Sequence, residues 1–102
     1  MKTFLISDNV DTYVGLRIAG INGIVLHNKD EIEFIMDKLI QDKELGIIIL
    51  TEKAAAVVQD KLREIKLRST LPLIVEIPDR HGSYKGKDAM LNYIKDSIGL
   101  KI

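Results

Sequence analysis

The stretch that decides the fold is Glu44-Leu45-Gly46-Ile47-Ile48-Ile49-Leu50-Thr51-Glu52-Lys53-Ala54-Ala55, "ELGIIILTEKAA". Its run Gly46–Leu50 is apolar at every position after the glycine. A strand with one solvated face would alternate, so an unbroken run reads as a strand buried on both faces, as in a parallel sheet. Thr51 then has the hydroxyl of a helix N-cap. Beyond it Ala54, Ala55, Val58, Leu62 and Ile65 form one helical side, with Lys61, Arg63, Glu64 and Lys66 elsewhere. A buried strand that runs straight into an amphipathic helix is half of a β-α-β unit.

The same grammar recurs on both sides of this stretch. "TFLIS" (3–7), "GIVLH" (23–27) and "LIVEI" (73–77) are further short β-rich runs. Asn28 stands three residues before Glu31, a loose capping box. After it Ile32, Ile35, Met36, Leu39 and Ile40 share one face, and Lys29, Asp30, Glu33, Asp37, Lys38 and Gln41 fill the rest. The first crossover, residues 9–20, is short: Val14, Leu16, Ile18 and Ala19 suit about two helical turns. Gly20 and Gly23 close that helix and lead into the second strand. "KDAMLNYIKDSIG" reads as a terminal helix that Asp88 caps and Gly99 ends. The expectation is an α/β fold: a four-stranded parallel sheet with alternating helices, Rossmann-like or receiver-like, followed by a C-terminal amphipathic helix after a long loop. Residues 1–77 are the core, 78–87 the connecting loop and 88–102 the helix, all in one domain.

The totals exclude several classes. With 15 basic and 15 acidic residues, interleaved, there is no basic surplus or stripe for nucleic acid. No cysteine is present, so there is no disulfide framework, zinc-thiolate site or thiol nucleophile. The longest apolar run, Ile47–Leu50, is too short to enter a bilayer as a span. The N-terminus "MKTFLISDNVD" turns acidic too early for a signal peptide, so a cytoplasmic protein is expected.

Ligands in open parallel sheets bind beyond the carboxyl ends of the strands. That edge holds Ser7-Asp8, His27-Asn28, Thr51-Glu52 and Pro78-Asp79-Arg80-His81. The last group opens "PDRHGSY", which gathers an acid, a guanidinium, an imidazole and two hydroxyls. Gly86-Lys87 is followed by aspartate, and Gly82 lies one residue too close to Gly86 for the motif, so it is no phosphate-cradling P-loop. A receiver needs a carboxylate nucleophile at the end of the third strand, where Thr51 stands. Asp79, His81 and Ser83 are also ordinary turn residues, and Gly82 supplies the freedom a turn uses. The loop therefore reads as a solvated connector rather than a catalytic centre. Two histidines without cysteines give little support to a metal site, and no cofactor is expected. In the terminal helix Leu91, Ile94 and Ile98 form a stripe that Met90 and Tyr93 widen. A face that broad suits either folding back on its own core or docking on a partner helix.

In order along the whole chain, these residues resemble the F subunit of the V-type and A-type rotary ATPases. "SDNVDTYVGLRIAGI" carries the pattern in Asp8, Gly15, Leu16, Arg17, Ile18, Ala19 and Gly20, with Ser7 in place of the usual glycine. "ELGIIILTEKAA" matches as a strand that ends in a hydroxyl and enters a helix. "LPLIVEIPDRHGSY" matches in Pro72, Glu76, Ile77, Pro78 and Tyr84, with Ser83 where proline is commoner, and "KGKDAMLNYI" resembles the family's helix start. The resemblance implies a non-catalytic central-stalk subunit. Such a subunit binds the coiled-coil D subunit inside the A/B catalytic hexamer and is peripheral to the membrane through the complex. On that basis Arg80, Tyr84, Met90, Leu91, Tyr93, Ile94 and Ile98 are the expected partner contacts. The competing expectations are a stand-alone receiver-like or small-ligand-binding domain, with Asp8 and Thr51 converging on a ligand, and a small enzyme built on the 79–84 loop.

Overall fold

A computed structural model of the protein describes residues 2–68 and 71–78. The order is β1 (Lys2–Ser7), α1 (Val10–Ile18), β2 (Asn22–Val25), α2 (Lys29–Leu39), β3 (Leu45–Thr51), α3 (Glu52–Ala56), α4 (Gln59–Arg68) and β4 (Leu73–Ile77). The four strands form one parallel sheet in the order β2-β1-β3-β4. The α/β fold read from the sequence is the fold of the chain, and all four strands lie within two residues of their expected bounds.

Strand β3 is buried along its entire length. Ile48 and Leu50 face one layer with Ile6, where Ile32 and Met36 of α2, Ala54 and Ala55 of α3, and Leu62 and Ile65 of α4 pack. Ile47 and Ile49 face the other layer with Leu5, Val75 and Ile77, packed by Leu16 of α1. The period of two along a strand explains this division. Leu45 breaks the parity and joins the first layer. Lys2 pairs with Leu45 while Thr3 pairs with Ile47, so the register shifts by one residue at Gly46. Such a shift sends the preceding side chain to the opposite face. The edge strand β2 is only half-buried, which is why its apolar run, unlike that of β3, overstates its burial.

Two helices differ from their sequence reading. The stripe Ala54, Ala55, Val58, Leu62 and Ile65 is buried as expected, but it runs across two helices, with Val58 in the turn between them. The break falls at Val57-Val58, a β-branched pair stiff in helices. There the Gln59 side-chain amide donates to the Ala55 carbonyl at 3.1 Å. The first crossover helix, in turn, begins at Val10 and is longer than two turns. Asn9 accounts for this: its side chain accepts from the Thr12 N–H at 2.7 Å and so starts the helix earlier. The Asn28 cap of α2 forms as read, accepting from the N–H groups of Asp30 (2.8 Å) and Glu31 (3.4 Å).

The two glycines after α1 do different things. Gly20 has φ +92° and ends the helix. Its N–H donates to the Arg17 carbonyl at 3.0 Å, and the Ile21 N–H donates to the Leu16 carbonyl at 2.9 Å. This is the paired hydrogen bonding of a Schellman end, and Ile21 packs in the same apolar cluster as Leu16. Gly23 lies within β2, not in the helix end. A Cβ there would sit 2.7 Å from the Leu5 carbonyl oxygen and 2.8 Å from the Leu5 Cβ, so β1 and β2 approach only because it is glycine.

On the outside, Lys61 of α4 pairs with Asp37 of α2, its side chain only 17% exposed. The hydrogen bond to Asp37 raises the Lys61 pKa, with a smaller push from neighbouring carboxylates against the opposing effect of burial. Lys2 reaches Asp42 at 3.1 Å. The Asp42 carboxyl is held below its ordinary value, first by the Glu44 N–H and then by Lys2.

Replacing either glycine by alanine should destabilise the protein for separate reasons. Gly23→Ala is expected to cost about 1–3 kcal/mol through overpacking against Leu5. Gly20→Ala, with open space around it, costs about 1–2 kcal/mol through left-handed backbone strain alone. Urea titration of both variants measures this, and a Gly20→Asn variant that recovers most of the loss would confirm the backbone cause. A raised lysine pKa adds stability that is complete below the unfolded value of about 10.4 and is lost as pH rises through the folded value. Lys61→Met is therefore expected to cost about 0.5–1 kcal/mol near neutral pH and to flatten the alkaline fall in stability, as read from melting curves.

Candidate functional site

The strand order places a topological switch point between β1 and β3, because the chain leaves β1 toward β2 on one side and continues with β3 and β4 on the other. The residues at this edge are held by one hydrogen-bonded set. The Asp8 N–H donates to the Thr51 hydroxyl oxygen at 3.1 Å, and the Ala54 N–H donates to the same oxygen at 3.4 Å. Thr51 is 1% exposed, so one side chain both caps α3 and ties it to the end of β1. The Ser7 hydroxyl donates to the Asn9 carbonyl at 2.6 Å and accepts from the Asn9 N–H at 3.0 Å. Asn9 caps α1 with its oxygen and donates through its amide nitrogen to Asp8 Oδ1 at 3.1 Å. His27 Nε2 lies 2.7 Å from the Asp8 carbonyl oxygen. A carbonyl only accepts, so the ring proton is on Nε2.

This arrangement closes the edge rather than arming it. The hydroxyls of Ser7 and Thr51 are occupied by backbone partners, and neither is paired with the imidazole. A nucleophile needs a base within hydrogen-bond reach, and His27 spends its Nε2 on a main-chain oxygen. Asp8 and Asp11 flank the start of α1, so the charge there opposes an anion at that helix end. Among the described residues no three His, Asp or Glu side chains come together as metal ligands. Asp8 and Thr51 do converge, as the small-ligand expectation required, but through a bond to each other. At the opposite edge, Ile40, Ile65, Arg68, Leu71 and Pro72 line a groove of about 210 Å³, below the usual range for ligand pockets.

The expected partner contacts Arg80, Tyr84, Met90, Leu91, Tyr93, Ile94 and Ile98 lie outside the described residues, as do Asp79, His81 and Ser83. Pro78, which follows β4, is half-buried. The structure adds a surface that the sequence reading passed over. Val10, Val14 and Ile18 of α1 are 61%, 45% and 67% exposed. They stand four residues apart, opposite Thr12 and Leu16, which face the sheet. The signal was present as two apolar registers in one nine-residue helix, but reading Val14, Leu16 and Ile18 as one set hid it. Arg17, beside this ridge, is fixed by a hydrogen bond from its guanidinium to the Asn22 side-chain oxygen.

Among the described residues no helix is long and apolar enough to cross a membrane. The family model described as "ATP synthase (F/14-kDa) subunit" matches residues 4–94. The chain is 37% identical over 94 residues to the F subunit of the A-type ATP synthase of Methanosphaera stadtmanae, covering 90% of this chain and 88% of the relative. It is 31% identical over 103 residues to that of Methanocaldococcus jannaschii, covering 100% and 99%. With that of Methanothermobacter thermautotrophicus it shares 37% identity over 94 residues, covering 90% and 88%. A match that begins in β1 and runs beyond β4 takes in the whole sheet, and by it the chain belongs to the ATP synthase (F/14-kDa) subunit family.

Proposed function

We propose that this chain is a non-catalytic subunit of the central rotor of an A-type or V-type rotary ATPase, and that it binds the coiled-coil D subunit of the stalk. It turns with the stalk inside the A/B hexamer and helps couple ATP hydrolysis or synthesis to ion transport. The observation that carries this reading is the end-to-end similarity to the F subunits of A-type ATP synthases. The hydrogen-bonded carboxyl edge supports the non-catalytic part, because its hydroxyls and its histidine serve as structural ties. Work of this kind is shape and packing and needs no perturbed titratable group. The chain acts in the soluble sector, peripheral to the membrane and away from nucleic acid. Arg80, Tyr84, Met90, Leu91, Tyr93, Ile94 and Ile98 supply partner contacts, with Arg and Tyr as the customary anchors of an interface.

The second reading, a receiver-like or small-ligand-binding domain, draws on the switch point between β1 and β3 and on Asp8 beside it. Against it stands Thr51, buried at the end of β3 where a phosphoacceptor carboxylate would be needed.

Co-expression with the coiled-coil stalk subunit from the same genome is expected to yield a stable two-chain complex, and the isolated chain is expected to hydrolyse no ATP. Two folded proteins that fail to associate by size-exclusion chromatography would end the proposal. Acetyl phosphate should leave Asp8 unlabelled, whereas stoichiometric labelling would favour the receiver-like reading. Thr51→Val is expected to cost about 1–3 kcal/mol, since it strips one buried and one half-buried N–H group of their acceptor. The folded variant should still bind the stalk subunit at wild-type affinity, as measured by calorimetry.

A further inference from the structure

We draw no further inference here: the strongest candidate, the exposed Val10-Val14-Ile18 ridge on the outer face of α1, has nothing in the structure to show what covers it.

Discussion

Everything in this domain is measured from β3. It is hydrogen-bonded to a parallel neighbour on each side, and its side chains fill the apolar layers on both faces of the sheet. A strand in that position can carry no polar side chain in its interior without stranding it away from water. The sequence obeys this from Leu45 to Leu50 and then places its first polar side chain, Thr51, where two backbone donors converge. The layer of α2, α3 and α4 and the layer of α1 are therefore not independent structures. Each is held by alternate residues of the same apolar run.

How much of this was legible beforehand depended on how local the governing force is. Strand positions came from continuous apolar runs, and the caps at Asn28 and Thr51 came from residue type and spacing. The break at Val57-Val58 was hidden because the apolar stripe continues straight through it. The stripe reports which face is buried, not whether the backbone hydrogen bonds run unbroken. Gly23 read both as closing the helix and as opening the second strand, and only the strand placement holds. Its real role is the approach of β1 to β2, a non-local distance that no window of sequence contains.

The site was less legible than the fold. The carboxyl edge was found by a topological rule, and the residues it selected do lie together. Their hydrogen bonds, which only coordinates supply, turn that edge from a candidate pocket into a fastening. The α1 ridge was missed for the opposite reason. Val14 and Ile18 were read only as parts of a helix, together with Leu16, and hydrophobic character alone does not separate a face turned inward from one turned out.

Helix α1 is fixed at both ends. Asn9, itself held by Ser7, secures the first turn, and the Gly20–Ile21 hydrogen bonds secure the last. Its base rests on Leu16 and its side is tied through Arg17 to Asn22. A nine-residue helix in free solution would fray at this length. Fastened in this way, it keeps its outer ridge in one shape whether or not anything touches it. Contact then orders little that was loose, and the free energy of docking is not spent on stiffening. The same rigidity has a mechanical meaning: a push on the ridge reaches the sheet without first taking up slack.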